Sequence, residues 1–438
     1  MGHRPAPALR IPGEWPNQGS TDRGPSECAT AAGRLPASFP DPDLGLGGET
    51  GRTGNAPGCT DGSCPGAVID PPPAELYIGL MSGTSQDAID GVLAEFPPNG
   101  QPRIRATHSA ALTHDLRHQL DALQRPGEED LGLALQLHHD LGQRFADCAL
   151  RLLDTVGVPA HAVRAIGCHG QTIRHSPDGP APHSLQIGNC ALIAVRTGIP
   201  TVADFRSADI AAGGQGAPLA PAFHQAAFGT AGRRRAVLNL GGMANVSLLG
   251  ADTSGWDVGP GNVLLDAWAA RHLGQPYDAE GRFAALGTAD PQLLAALLAH
   301  PFIDRPPPKS TGREDFNLRW LDAVLAGFGN LHPADVQATL AEFTAAAVAR
   351  ALRGRDEIEE LLVCGGGARN TDLLDRLARR LTPLRVETTA AAGVDPQWVE
   401  ALAFAWLARQ RMHETALDLR RITGARRPVI LGCVYLPG

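Results

Sequence analysis

The chain has 438 residues, 43% hydrophobic and 19% charged, with a formal net charge of -8. That length is enough for two cores, since one core rarely grows past ~300 residues, and the acidic balance excludes a phosphate-backbone binder, whose basic face would reverse the sign. Nucleic acid is therefore not an expected partner. There is no run of ~18 apolar residues, and the N-terminus lacks the apolar stretch of a secretory signal, so a cytoplasmic protein without a membrane partner is expected. The eight cysteines are scattered, without the paired spacing of a zinc site, which suits reduced cytosolic thiols. Lys309 is the only lysine among 38 Lys and Arg residues, a bias that a GC-rich genome produces by itself; it carries no functional reading at this level.

Residues 1–73 are rich in Gly, Pro, Ser and Thr and end in Pro71-Pro72-Pro73, which predicts a disordered extension or an over-extended gene start. From there the pattern alternates. Strands are predicted at Leu76–Leu80, Val163–Gly167, Ala236–Leu240 and Leu361–Cys364, and helices at His114–Gln124, Leu131–Thr155, Asp335–Leu352 and Asn370–Leu381. Alternation of this kind implies an α/β fold with a largely parallel sheet. Two lobes around a central cleft are expected, residues 74–235 and 236–438, with the C-terminal helix able to return to the first lobe.

Three of the strands run straight into glycine-rich turns. The first turn, Gly83-Thr84-Ser85-Gln86-Asp87-Ala88-Ile89-Asp90, lies between two apolar runs and reads as a β-hairpin whose backbone N–H groups and hydroxyls could wrap phosphate. Asp87 and Asp90 could then hold magnesium, directly or through water; the plainer reading is an exposed hairpin stabilised by its aspartates. The second turn is Gly241-Gly242, and the third is Gly365-Gly366-Gly367, followed by Asn370 as a helix N-cap. A helix start behind glycines suits nucleotide phosphate or ribose. There is no Walker lysine pattern and no well-placed Gly-x-Gly-x-x-Gly, which argues against P-loop and Rossmann folds.

Met81-Ser82-Gly83-Thr84-Ser85, Gly167-Cys168-His169-Gly170-Gln171-Thr172, Ala203-Asp204-Phe205-Arg206, Asn239-Leu240-Gly241-Gly242 and Lys309-Ser310-Thr311-Gly312-Arg313-Glu314 resemble the signatures of the anhydro-N-acetylmuramic acid kinase family. The order holds to Glu400-Ala401-Leu402-Ala403-Phe404-Ala405-Trp406, so the likeness covers about Leu76 to Pro437. The resemblance implies a two-lobed actin-like (ribonuclease H-like) sugar kinase that uses ATP and Mg2+. It also implies phosphorylation of 1,6-anhydro-N-acetylmuramic acid with opening of the anhydro ring, a place in peptidoglycan recycling, and a homodimer. Two positions depart from the family pattern: Ala88 stands where glycine is usual, and Val258 where a small polar residue is expected. If position 88 needs positive φ, alanine strains the turn by ~1 kcal/mol.

The reaction needs a base for water and support for the phosphoryl group, which directs attention to carboxylates in apolar or glycine-rich settings. Asp257 precedes Gly259-Pro260-Gly261-Asn262 and reads as held on a tight turn ahead of a helix near Val263. By resemblance it is the water-activating base, although capping is the commoner role for such an aspartate. Glu400 is the one polar side chain in Trp398–Leu407, on a helix expected to begin at Pro396 after Asp395. A helix apolar all round is buried, so this glutamate needs a partner or a polar pocket, and by resemblance it binds the sugar. Asp204 is the second-ranked base, since in related sugar kinases the catalytic aspartate lies between the first two phosphate turns; a structural ion pair with Arg206 is the alternative. His169 and Gln171 either touch sugar or serve the core. Three rival readings remain: a glycoside hydrolase, to be distinguished by ATP-independent ring opening; a non-catalytic ATP-binding switch; and a relative weakened at Ala88.

Overall fold

The structure is a computed structural model and describes residues 73–83, 86–98, 100–124, 130–230 and 232–438. Thr84, Ser85 and residues 1–72 lie outside the described residues.

The strands are β1 (Glu75–Ser82), β2 (Ala88–Phe96), β3 (Arg103–Ala111), β4 (Val163–Cys168), β5 (Gln171–Ser176), β6 (His183–Ile187), β7 (Thr201–Ala203), β8 (Arg235–Leu240), β9 (Met243–Leu248), β10 (Ser254–Pro260), β11 (Glu360–Cys364), β12 (Arg385–Thr388) and β13 (Cys433–Tyr435). The first six helices are α1 (His114–Gln124), α2 (Leu131–Val156), α3 (Cys190–Thr197), α4 (Ser207–Ala211), α5 (Ala220–Phe228) and α6 (Val263–Leu273). The others are α7 (Arg282–Ala285), α8 (Pro291–Leu298), α9 (Leu318–Leu325), α10 (Pro333–Ala351), α11 (Thr371–Leu381) and α12 (Val399–Met412).

One sheet runs β13-β7-β4-β1-β2-β3, a second runs β10-β9-β8-β11-β12, and β5 and β6 form a separate pair. In the first, β1, β2 and β3 form an antiparallel meander, then β4 lies parallel to β1 and β7 parallel to β4. In the second, β8, β9 and β10 form the meander, β11 lies parallel to β8, and β12 parallel to β11. Apart from β13, which adds antiparallel to β7, each sheet has the order third, second, first, fourth, fifth. This order, used twice, is the ribonuclease H-like unit of actin-like proteins.

Local chemistry sets the ends of the elements. Asp130 caps α2 by accepting from the Leu133 N–H at 3.1 Å, and Gly157 ends it in the left-handed region with φ 64. Asn370 caps α11, accepting from the Leu373 N–H at 3.0 Å. At the last helix the structure corrects the sequence reading: Pro396–Trp398 is a tightened 3-10 turn capped by Asp395, and α12 begins only at Val399.

The core lies on both faces of each sheet. Leu120, Leu141 and Phe145 pack on Ile78, Leu80 and Ile89. The opposite face joins Tyr77 and Ala165 to α5, α12 and to Val237 and Leu362 of the second sheet. Gly79 and Gly167 are register partners on β1 and β4. A Cβ on Gly79 would sit 1.8 Å from the Ala401 carbonyl oxygen, and one on Gly167 would sit 2.0 Å from that of Phe404. Bare backbone at this pair is what lets α12 lie down on the sheet.

Candidate active site

That docking carries Glu400, in the first turn of α12, to the second sheet, where its Oε1 accepts from Asn239 Nδ2 of β8 at 3.0 Å. Burial raises the Glu400 carboxyl above its ordinary proton affinity; Asn239 opposes the rise, Asp90 adds to it, and Arg206 opposes it.

Asp257 is on strand β10, not on a turn as the sequence suggested, and the register shifts between it and Gly259. Its N–H donates to the Lys309 carbonyl at 3.1 Å, and its Oδ2 accepts from the Thr311 N–H at 3.0 Å. Burial pushes its carboxyl up to about 7, while the Thr311 N–H, Lys309 and Arg206 pull it down and Glu314 pushes it up.

Arg206 bears electrostatically on both carboxylates. Burial lowers its guanidinium to about 10, and Glu400, Asp257 and Asp209 hold its charge. Its Nη1 donates to the Gly216 carbonyl at 2.6 Å, and its Nη2 meets His169 Nε2 at 2.9 Å. A guanidinium can only donate, so His169 Nε2 accepts and the ring proton resides on Nδ1. Burial and the neighbouring Arg206 lower that imidazole to about 3, so it is neutral at working pH. Both His169 Nδ1 and Arg206 Nε are buried without a hydrogen-bond partner. Gln171, fully buried, accepts from Ser82 Oγ at 2.7 Å and so serves the core.

The structure does not bring Asp204 into this group. Its backbone is left-handed at φ 52, its Oδ1 accepts from the Ser207 N–H at 3.2 Å at the start of α4, and its charge bears on Tyr435 of β13. Asp209 is buried against the Gly216 N–H and Thr423 Oγ1, each at 2.7 Å.

In the first turn the Gln86 N–H donates to the Gly83 carbonyl at 3.1 Å. Positive φ falls at Gln86, at 57, and Ala88 is the first residue of β2 outside that region. The strain conditional on a left-handed Ala88 is therefore not present. The Gln86 amide is buried with neither polar atom partnered. Ile89 points into the core, fully buried, so only its backbone can serve a ligand. Asp90 accepts from Ser109 Oγ at 2.6 Å, and burial raises its carboxyl against the pull of Ser109, Gln397 and Arg369. Asp87 is exposed, 3.7 Å from Arg117.

The glycines of the other turns divide by what surrounds them. Gly365, at φ 80, and Gly367 are glycine because of packing: a Cβ would meet Asn239 Oδ1 at 2.4 Å and Leu240 Cβ at 2.6 Å respectively. At Gly241 and Gly366 a Cβ would meet no clash, its nearest atoms lying at ordinary contact distances of 3.5 and 4.0 Å. Gly241 and Gly242 are tied to the loop after Asp257, since their carbonyls accept from the Asn262 and Gly261 N–H groups, both at 2.9 Å. Val258 is buried in the second core.

Sequence reasoning missed the central place of Arg206, the role of Asn239 in holding Glu400, and Asp266 on α6, whose carboxyl burial pushes up to about 7 with the charge of Asp87 adding. The position of Asn239 at the end of a predicted strand, ahead of two glycines, was the available signal for that residue. No group of three or more His, Cys, Asp or Glu residues suited to a metal occurs among the described residues, and no helix among them is long and apolar enough to cross a membrane.

A duplicated ribonuclease H-like sheet, with small turns at the strand ends and raised carboxylates around one arginine, defines an actin-like fold of the sugar-kinase type. The chain belongs to the anhydro-N-acetylmuramic acid kinase family, whose profile matches residues 75–437. It is 50% identical over 370 residues to the anhydro-N-acetylmuramic acid kinase of Thiobacillus denitrificans, covering 83% of this chain and 97% of that protein. The enzyme of that name from Burkholderia cenocepacia is 48% identical over 368 residues, covering 82% and 96%. That of Coxiella burnetii is 46% identical over 368 residues, covering 83% and 98%.

Proposed function

We propose that this chain phosphorylates the 6-oxygen of 1,6-anhydro-N-acetylmuramic acid at the expense of ATP while water opens the anhydro ring, giving N-acetylmuramic acid 6-phosphate and ADP. The observation that carries this reading is Asp257: its carboxylate accepts from the Thr311 N–H, its own backbone N–H is held by the Lys309 carbonyl, and burial lifts the carboxyl to about 7. A base with that proton affinity is matched to proton transfer at neutral pH. In its ionised form it takes a proton from water as the water oxygen bonds to the anomeric carbon and the bond from that carbon to the 6-oxygen breaks. We place the base at Asp257 in preference to Asp204, because the Asp204 carboxylate is engaged by the Ser207 N–H. Glu400, fixed by Asn239, is the sugar-binding carboxylate, and the unpartnered Arg206 Nε and His169 Nδ1 are donors suited to substrate oxygens.

ATP, when bound, supplies the phosphoryl group taken by the freed 6-oxygen, and magnesium offsets the charge of its phosphates. Gly241 and Gly366, which the surrounding packing does not require to be glycine, suit a nucleotide approaching the backbone closely. Asp87 and Asp90 are the carboxylates we assign to the magnesium ion, directly or through water. The lobes we assign are residues 74–235 and 236–438, with α12 and β13 returning to the first sheet. On the family likeness we also propose a cytoplasmic homodimer acting in cell-wall recycling.

The test is incubation of the protein with ATP, magnesium and the anhydro-sugar, followed by mass spectrometry. Equal amounts of ADP and the sugar 6-phosphate are expected; ring opening without ADP would replace the kinase with a hydrolase.

A further inference from the structure

In a chain whose other basic Lys and Arg side chains are all arginine, Lys309 is the exception. A position needing only positive charge would accept guanidinium, so an ammonium kept against that bias points to a demand on shape. The surroundings of Lys309 supply one. Its Nζ donates to the carbonyl oxygens of Phe302 and Ile303 at 3.0 and 2.9 Å and lies 4.5 Å from the centroid of the Phe302 ring. One compact nitrogen with three tetrahedral donors can serve two neighbouring carbonyls from above a ring. A rigid planar fork is the wrong shape for this.

These bonds close residues 302–309 into a ring. At one end of it, Phe302 and Ile303 are buried in the second core, and Ile303 Cδ1 would lie 3.1 Å from a Cβ on Gly259 of β10. At the other end, the Lys309 carbonyl accepts the Asp257 N–H, and two residues later the Thr311 N–H donates to the Asp257 carboxylate. Thr311 is itself held, its Oγ1 donating to Asp315 Oδ2 at 2.6 Å.

We infer that Lys309 is a positioning residue for Asp257: its ammonium closes the ring that presents residues 309–311 to the aspartate, and its charge favours the ionised carboxylate. The inference rests on the reading of Asp257 as the base. The charged groups bearing on Asp257 are Lys309, Arg206 and Glu314, and those bearing on Lys309 are Asp304, Asp257 and Arg305. Burial lowers the Lys309 ammonium, and Asp304 and Asp257 both oppose that.

The single lysine makes a direct test available. Protein grown on lysine carrying 13C at Cε gives one side-chain signal, which is followed with pH in the wild type and in Asp257→Asn. Loss of the aspartate should lower the Lys309 titration midpoint by roughly half a unit or more; an identical midpoint would overturn the coupling. In kinetics, Lys309→Met should lower kcat by ~100-fold and Lys309→Arg by ~10-fold, the size of effect that a slightly misplaced catalytic group produces. The acid limb of the kcat profile should move to higher pH in Lys309→Met, which has lost the charge, and stay in place in Lys309→Arg. Full kcat in Lys309→Arg would remove the shape argument, and an unmoved limb in Lys309→Met would reduce the residue to a structural peg. If Lys309→Met fails to fold, the carbon signal in the other two proteins still decides. Failure of the base reading looks different, since Asp257→Asn would then turn over normally whatever the lysine signal does.

Discussion

The two sheets share a strand order and use their central strands differently. In the first, β1 and β4 meet α12 through Gly79 and Gly167, so the sheet is a bed for a helix. In the second, the corresponding strands β8 and β11 pair Asn239 with Cys364, and Asn239 reaches out to Glu400 on that same helix. The third strands diverge as well. On β3, Ser109 holds Asp90 of the first turn, while on β10 the raised carboxyl of Asp257 is held by the Thr311 N–H. Repeating a fold has not repeated its chemistry: the first sheet fixes where Glu400, the carboxylate we assign to the sugar, sits, and the second carries Asp257, the base we propose.

The largest expected effect breaks the second half of that comparison. Asp257→Asn keeps the size and loses the base, so kcat should fall by ~10³-fold with the circular dichroism spectrum unchanged. A loss within tenfold would move the base elsewhere. Because the wild-type carboxyl must be ionised and burial holds it at about 7, kcat should rise with pH through that value and level above it. Stability should run the other way. The folded protein retains the Asp257 proton between the ordinary aspartate range and about 7 while the unfolded chain has lost it, so this group's contribution falls as pH rises across that window. The Asn variant lacks this loss, and its Tm advantage over the wild type should grow from pH 4 to pH 8.

The first sheet is tested by giving the helix bed a methyl group. Gly79→Ala places a Cβ against the Ala401 carbonyl, next to Glu400, and α12 must shift or lift. A destabilisation of ~1–3 kcal/mol is expected from denaturant unfolding, together with a raised KM for the sugar. Unchanged stability would mean that helix and sheet can separate at no cost. Glu400→Gln is gentler, since it keeps the α12 position and removes only the charge. A KM for the sugar raised by ~10-fold is expected, in line with losing a charge-assisted hydrogen bond, and an unaltered KM would remove Glu400 from the sugar pocket.

Much of this frame was legible in the sequence, because it depends on local signals. The apolar runs of β1, β4, β8 and β11, the N-cap at Asn370 and the hairpin through Gly83 are all written within a few neighbouring residues. Glu400 stood out because its own helix contains nothing else polar around it. The meeting of residues distant in the chain was not legible. Arg206 is 37 residues from His169, and Asn239 is 161 residues from Glu400, so no periodicity links them. The grip on Asp257 was hidden for a second reason: it consists of the backbone of Lys309 and Thr311, which side-chain motifs do not report. Which residue of the first turn takes positive φ is left open by the sequence for the same reason. A small-residue turn indicates that some position takes positive φ, without indicating which.

The smallest expected effect concerns that turn. Ala88 stands where glycine is usual in the family, and the simplest expectation is a strained loop and weakened nucleotide binding. In the structure the left-handed residue is Gln86, while Ala88 pairs with Ala111 at the start of the β2 ladder. Restoring glycine at position 88 therefore relieves no strain. It adds backbone freedom to the unfolded chain and removes a methyl group from a strand, which together cost about 0.5–1 kcal/mol. Ala88→Gly should leave the KM for ATP within about twofold and slightly lower the unfolding midpoint, a shift to be read from midpoints measured side by side, since an extrapolated stability carries an error of about 10–15%. A clear gain in ATP affinity with no loss of stability would show that nucleotide binding pulls position 88 into the left-handed region, and would make the first turn a part that is set by its ligand, whereas Asp257 on β10 is held by the backbone of Lys309 and Thr311.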